Sequence, residues 1–285
     1  MSLELLDQIS LAGDAAKPNE DALAFLDHAA LVMDGATPLG PSLLPGPSDA
    51  AWIAQFGARR ITAHLRDGDA PPIALKHALA DAEKSFAGLA REPIREKWQT
   101  PCASMMMVVE LGREPEKAEI EFLWFGDCAA IVAQRGEIEI VGETLEKRQA
   151  EAKRAKMVAR AANMSSASGI DRPQIEPLLR AARNRINSGR NWLFSPDVRA
   201  AGHVSRHTLS SQKDSLMLIA SDGFLALVSD YGVYDMQSLM AAAQGKGLAA
   251  LGKELREIEE TDPLGEKFPR FKKSDDATAI LLRVK

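Results

Sequence analysis

Between Cys102 and Glu143 the chain reads as four short apolar segments, "CASMMMVVELG", "KAEIEFLWFGD", "CAAIVAQRG" and "EIEIVGE", separated by tight polar turns. Links this short leave no room for a crossover helix, so consecutive strands here are expected to run antiparallel. Helical text comes in blocks on either side. Trp52, Ile53, Phe56, Ile61 and Leu65 recur at near-helical spacing after Ser48 or Asp49, either of which can cap. A second helical stretch, "IALKHALADAEKSFAGLAREPIREKW", follows Pro71 and Pro72. Beyond the four strands come "ETLEKRQAEAKRAKMVARAAN", a helix "IEPLLRAARNRIN", the run "SLMLIASDG", two further helical stretches and a final strand "ATAILLRV". Blocks of strands and helices, without strict alternation, predict an α+β architecture with antiparallel sheets.

With 285 residues, 46% of them hydrophobic, the chain can bury a large core. Its net charge of -5 argues against a nucleic-acid partner. The charge is uneven: Lys147 to Arg206 carries +9 and the remainder -14. The basic helix is read as a solvated face, or as a rim attracting a phosphorylated partner. Cys102 and Cys128 are the only cysteines and lack the spacing of a structural zinc site. The N-terminal text has no signal-peptide pattern and no apolar run could span a bilayer, so a cytoplasmic protein without a membrane partner is expected.

Four apolar runs begin or end on carboxylates. "AALVMDG" ends on Asp34-Gly35, "IEFLWFGD" on Asp127 and "LMLIASDG" on Asp222-Gly223, while "SDDATAILLRV" begins after Asp275-Asp276. A lone Asp-Gly is an ordinary turn. Four acidic strand ends sharing one sheet rim would repel: two carboxylates at about 4 Å cost roughly 4 kcal/mol at an effective dielectric of 20. Such a rim must take up protons or hold cations. Oxygen-only ligands favour magnesium or manganese over zinc.

In order and spacing, "PNEDAL", "VMDGA", "FGDCAAIVAQRG", "LIASDGF" and "SDDATAILL" resemble the motifs of the metal-dependent protein phosphatase 2C-like (PPM) family, across nearly the whole chain. The resemblance implies one domain over residues 1–285, with a basic helical segment at about 143–190. It implies a four-layer αββα sandwich, two central antiparallel sheets flanked by helices, with a centre for two Mg2+ or Mn2+ ions at one edge. By matching positions, Asp34 would bridge the ions and the Gly35 carbonyl would add a ligand. Asp222 and Asp275 would complete one metal, Glu20 would hold the second, and Asp127 would support an additional, weaker position. Asp21 would orient water, so Asp21, Asp34 and Asp222 are the expected catalytic residues. Asp276, beside Asp275, is the alternative ligand.

The implied reaction is attack of a metal-bound hydroxide on phosphoserine or phosphothreonine in a protein, with no cysteine nucleophile. Three departures stand out. Ala16 occupies the place of the family's phosphate-binding arginine, leaving Lys17 beside it, with Arg183, Arg185 and Arg190 as further candidates. Ala36 follows the first Asp-Gly where many members have histidine, and Cys128-Ala129 replaces the usual Ser-Arg. A pseudophosphatase that binds a phosphorylated partner without turnover, or a phosphatase of small metabolites, are the alternatives.

Other features are assigned no function. "GLAALGKE" has P-loop spacing, but Glu254 stands where magnesium needs a hydroxyl. His28, His64, His77, His203 and His207 share no ligand spacing except the last pair, in text read as strand or loop. Met105, Met106 and Met107 read as core.

Overall fold

The run of three methionines has a simple cause in the computed structural model, which describes residues 3–114, 116–142, 172–265, 267, 268, 270 and 272–285. They lie in a strand covered on both faces, so successive side chains enter different cores. Met105 and Met107 pack under helices, and Met106 packs between two sheets.

The strands are β1 (Leu3–Leu11), β2 (Asp21–Leu26), β3 (Ala29–Gly35), β4 (Ala103–Glu114), β5 (Lys117–Phe125), β6 (Ala129–Gln134), β7 (Glu137–Gly142), β8 (Ser205–Gln212), β9 (Leu216–Ala220) and β10 (Ala277–Val284). They form two five-stranded sheets, ordered β1-β10-β9-β6-β7 and β2-β3-β4-β5-β8, in which every pairing is antiparallel. The described α-helices are α1 (Asp49–Arg66), α2 (Pro71–Leu89), α3 (Arg172–Arg183), α4 (Asp222–Ser229), α5 (Met236–Lys246) and α6 (Leu248–Thr261).

Three apolar layers hold these elements together. Ile53, Ile61, Leu75 and Leu79 of α1 and α2 pack on Leu31, Met33 and Leu123 of the second sheet. Val32, Val108 and Phe122 meet Val132, Ile219 and Ile280 between the sheets. Phe224, Leu227, Leu239, Leu251 and Leu255 of α4–α6 cover Leu218, Ala220 and Leu281. The result is the expected helix, sheet, sheet, helix order.

The four-strand block needs one refinement. β4 pairs with β5 and β6 with β7, but β5 and β6 do not pair; the link through Gly126 and Asp127 carries the chain from one sheet to the other. α2 ends at Leu89, short of the helical text that runs to Trp98, and Ala90 leaves the helix in extended geometry. Three helices, rather than two, follow β9, and the P-loop-like text lies in α6. The charged helix expected over 143–171 falls outside the described residues.

Candidate active site

Antiparallel pairing brings the acidic strand ends to one rim. Asp21 opens β2 and faces Asp34 at the end of β3, the two being direct partners in the register. Ala220, the last residue of β9, is paired with Ala129 at the start of β6 and with Ala279 near the start of β10. Asp222, Asp127 and Asp275, just beyond these ends, therefore gather beside Asp34.

Each acid is held by local structure. Ser48 caps α1, its Oγ accepting from the Ala51 N–H at 3.2 Å and donating to Glu20 Oε1 at 2.6 Å. Asp49 instead accepts the Leu43 and Leu44 N–H groups, at 2.7 and 3.1 Å, and ties down the preceding loop. The Ser221 hydroxyl donates to Asp21 Oδ2 at 2.8 Å and accepts the Thr278 N–H at 3.0 Å. Asp222 is the first residue of α4, where the helix dipole favours a negative charge. Asp276 accepts the Gly13 N–H at 2.7 Å and the Glu20 N–H at 2.6 Å, so both of its oxygens serve the backbone. Asp275 receives the Lys272 ammonium at 2.7 Å.

Both glycines following the acids are required by close approach. A Cβ on Gly35 would lie 2.5 Å from the Glu20 and Ala50 carbonyl oxygens, and one on Gly223 would lie 1.9 Å from the Asp276 carbonyl oxygen. The Asp222-Gly223 pair thus starts a helix pressed against the beginning of β10, and is not a turn.

The rim is electrostatically unsettled. Burial pushes the Asp34 carboxyl well above the usual carboxylate range, and Asp222, Asp21, Asp127 and Asp275 push it further. Asp21, only 4% exposed, is also raised well above that range by burial; hydrogen bonds from Ser221 and Thr278 oppose the rise, while Asp276 and Asp222 add to it. Asp21 Oδ1 is buried and has no hydrogen-bond partner among the described residues. Oxygen donors, mutual repulsion and an orphaned carboxylate oxygen fit hard divalent cations. The acids do not close into a tight single-ion cage: among the described residues, the three ligand atoms lying within 4.8 Å of one another belong to His64, Asp69 and His77, remote from this rim.

Lys17 points to Asp14 at 3.5 Å and its side chain is 73% exposed. Sequence reasoning missed Lys272, whose ammonium bonds Thr37 Oγ1 at 2.9 Å as well as Asp275. Burial would lower its pKa, but Asp275, Asp34 and Asp222 outweigh that and hold it charged. Arg183 lies across the Ala36 and Thr37 carbonyls, both at 3.4 Å, beside a shallow cleft that also includes Trp98 and Thr100. Arg185 and Arg190 are exposed. Burial raises both thiols, and Asp34 and Asp127 raise Cys128 further, which leaves Cys128 a protonated core residue and no nucleophile.

No family model matches the sequence, and no curated protein matches it. Solved structures do. The Mycobacterium tuberculosis serine/threonine phosphatase PstP/Ppp superposes with a TM-score of 0.57 at 14% identity, covering 100% of both chains. The fold is that of the PPM phosphatases. The PPM phosphatase MsPP of Mycobacterium smegmatis, in complex with cacodylate, gives 0.55 at 14% identity over 99% of this chain and 100% of that one. The catalytic domain of PstP in complex with two manganese ions gives 0.55 at 15% identity, over 99% and 98%. At such identities the likeness is one of PPM fold.

Proposed function

We propose that the chain is a metal-dependent phosphoric monoester hydrolase acting on phosphoserine and phosphothreonine in proteins. The observation that carries this reading is the direct pairing of Asp21 with Asp34 at a part-buried rim where Asp222, Asp127 and Asp275 converge. A fold shared with the manganese-bound catalytic domain of PstP supports it.

Glu20, Asp34, the Gly35 carbonyl, Asp222 and Asp275 would hold two Mg2+ or Mn2+ ions, with Asp127 beside an additional position. When bound, such ions acidify water and neutralise charge on phosphoryl oxygens. The remaining work belongs to the chain. Asp21 Oδ1, partnerless and buried, would accept a hydrogen bond from the attacking water and orient it. Ser48 and Asp276 hold Glu20 in place from its side chain and its backbone. Lys272 and Arg183, with Lys17 further out on an exposed turn, would meet the substrate phosphate that Ala16 cannot bind. The free, buried cysteines accord with a cytoplasmic setting, and none of the described helices is long and apolar enough to cross a membrane.

Lys272 also supports a second reading. An ammonium already paired with Asp275 offsets part of the charge a cation would neutralise, as suits a pseudophosphatase that binds a phosphorylated partner without turnover. The deciding experiment is hydrolysis of an aryl phosphate and a phosphothreonine peptide with manganese, with chelator, and with Asp222→Asn. Manganese-dependent turnover that is lost in the variant is the expected result. Absence of turnover with metal binding intact would select the pseudophosphatase.

A further inference from the structure

A second constellation lies at the other end of α1. From Ser48, which touches Glu20, the helix carries the chain about 24 Å to His64. Beyond the helix end, the Asp69 N–H donates to the His64 carbonyl at 3.1 Å, folding Asp69 back over the last turn. His77, near the start of α2, then faces both: its Nδ1 lies 2.7 Å from Asp69 Oδ2, and the two imidazole centroids are 5.3 Å apart. Ligand atoms of His64, Asp69 and His77 all lie within 4.8 Å of one another.

We propose that these three residues form a metal site of their own, for a divalent transition ion of the zinc class, fastening the end of α1 to α2. The hydrogen bonding around His64 supports this. Its Nε2 is 2.8 Å from Asp81 Oδ2, an oxygen that also accepts Arg60 Nε at 2.6 Å. A carboxylate there can only accept, so Nε2 carries a proton; in the neutral ring this leaves Nδ1, which faces Asp69, as the nitrogen with the lone pair, the carboxylate–histidine arrangement that prepares an imidazole for a metal. Nδ1 stands 3.5 Å from Asp69 Oδ2. That is too long for a good hydrogen bond. It is near the separation of about 3.4 Å between two ligands of a tetrahedral ion bound at about 2.1 Å. The shorter His77 contact is a hydrogen bond whose proton an ion would displace, and the half-exposed His77 side chain has room to draw back.

Two imidazole nitrogens and one carboxylate oxygen, with a fourth position open to water, suit zinc. The oxygen-only rim suits magnesium or manganese. The two ends of α1 would therefore sort ions by donor chemistry.

The test is a zinc titration against a chromophoric chelator in excess magnesium, added to compete with zinc for the oxygen-only rim. The wild type, His77→Gln, Asp69→Asn and Asp222→Asn chains are compared, with far-UV circular dichroism to verify folding. The expected result is one zinc equivalent, and a melting temperature raised by a few degrees, in the wild type and Asp222→Asn; both effects are lost in His77→Gln and Asp69→Asn. Equal zinc uptake by the wild type and His77→Gln, or none by the wild type, would overturn the proposal and leave a cluster of hydrogen bonds only. Phosphate hydrolysis is not a readout, so this outcome is independent of the activity assigned to the rim.

Discussion

Two serine hydroxyls at the rim each serve two partners: Ser48 caps a helix while holding Glu20, and Ser221 joins Asp21 to the start of β10. Such double use leaves little slack around the acids, and the glycines beside them show the same tightness. Gly223→Ala sets a methyl group against the Asp276 carbonyl, a backbone atom that cannot swing aside. An overpacking cost of about 1–3 kcal/mol, read as a lower urea midpoint, is expected together with loss of turnover. Asp34→Asn acts in the opposite sense on stability. Because burial and its acidic neighbours raise the Asp34 and Asp21 carboxyls in the folded state, their contribution is favourable below the unfolded value of about 3.9 and is lost as pH rises through the raised values. In chelator, the wild-type urea midpoint is therefore expected to fall as pH climbs from about 3.9 through the raised values, and Asp34→Asn to flatten the decline. The same variant should lose more than about 100-fold in turnover, beyond what is typical of groups one layer further from a metal.

The helical hairpin offers a separate prediction. Burial tends to raise the Asp81 carboxyl, but hydrogen bonds from His64 and Arg60 prevail and lower it. A lowered folded-state value means stabilisation that is present above about pH 3.9 and lost as pH falls through the depressed value. Asp81→Asn is expected to cost about 0.5–1 kcal/mol near neutrality, with the gap to wild type closing in acid; chemical denaturation at two pH values reads it. This part of the molecule was poorly legible beforehand. His64 and His77 come from two antiparallel helices, and a meeting made by helix packing leaves no local spacing in the sequence. β4 and β5 were clear because apolar runs between tight turns are a local signal. The change of sheet at Gly126 and Asp127 was not, since a short link permits pairing without requiring it. Lys272 was hidden because one lysine in a basic and acidic tail has no pattern until Thr37 and Asp275 close around it.

At the scale of the whole chain, the acids could be listed from strand ends, but their convergence depends on sheet order. β10 lies between β1 and β9, and β3 between β2 and β4, which brings residues near 20, 34, 127, 222 and 275 to one edge. If two ions occupy that edge, their removal should be felt globally. At a free manganese concentration 100-fold above the dissociation constant, linkage gives about 2.7 kcal/mol of added stability. A thermal melt with manganese and then with chelator should show that rise and its reversal in the wild type, and little of either in Asp34→Asn. The carboxylate of Asp276 has a further consequence. It joins Gly13 and Glu20, early in the chain, to the start of the strand that follows every other described strand in sequence, and that strand lies inside its sheet, between β1 and β9. Early and late segments must therefore meet before the rim exists, a pairing of high contact order and slow closure. Fragments ending before Ala277 would carry Glu20, Asp21, Asp34, Asp127 and Asp222 yet lack the strand that aligns them, so competence at this edge depends on the docking of β10 and not on the supply of acids.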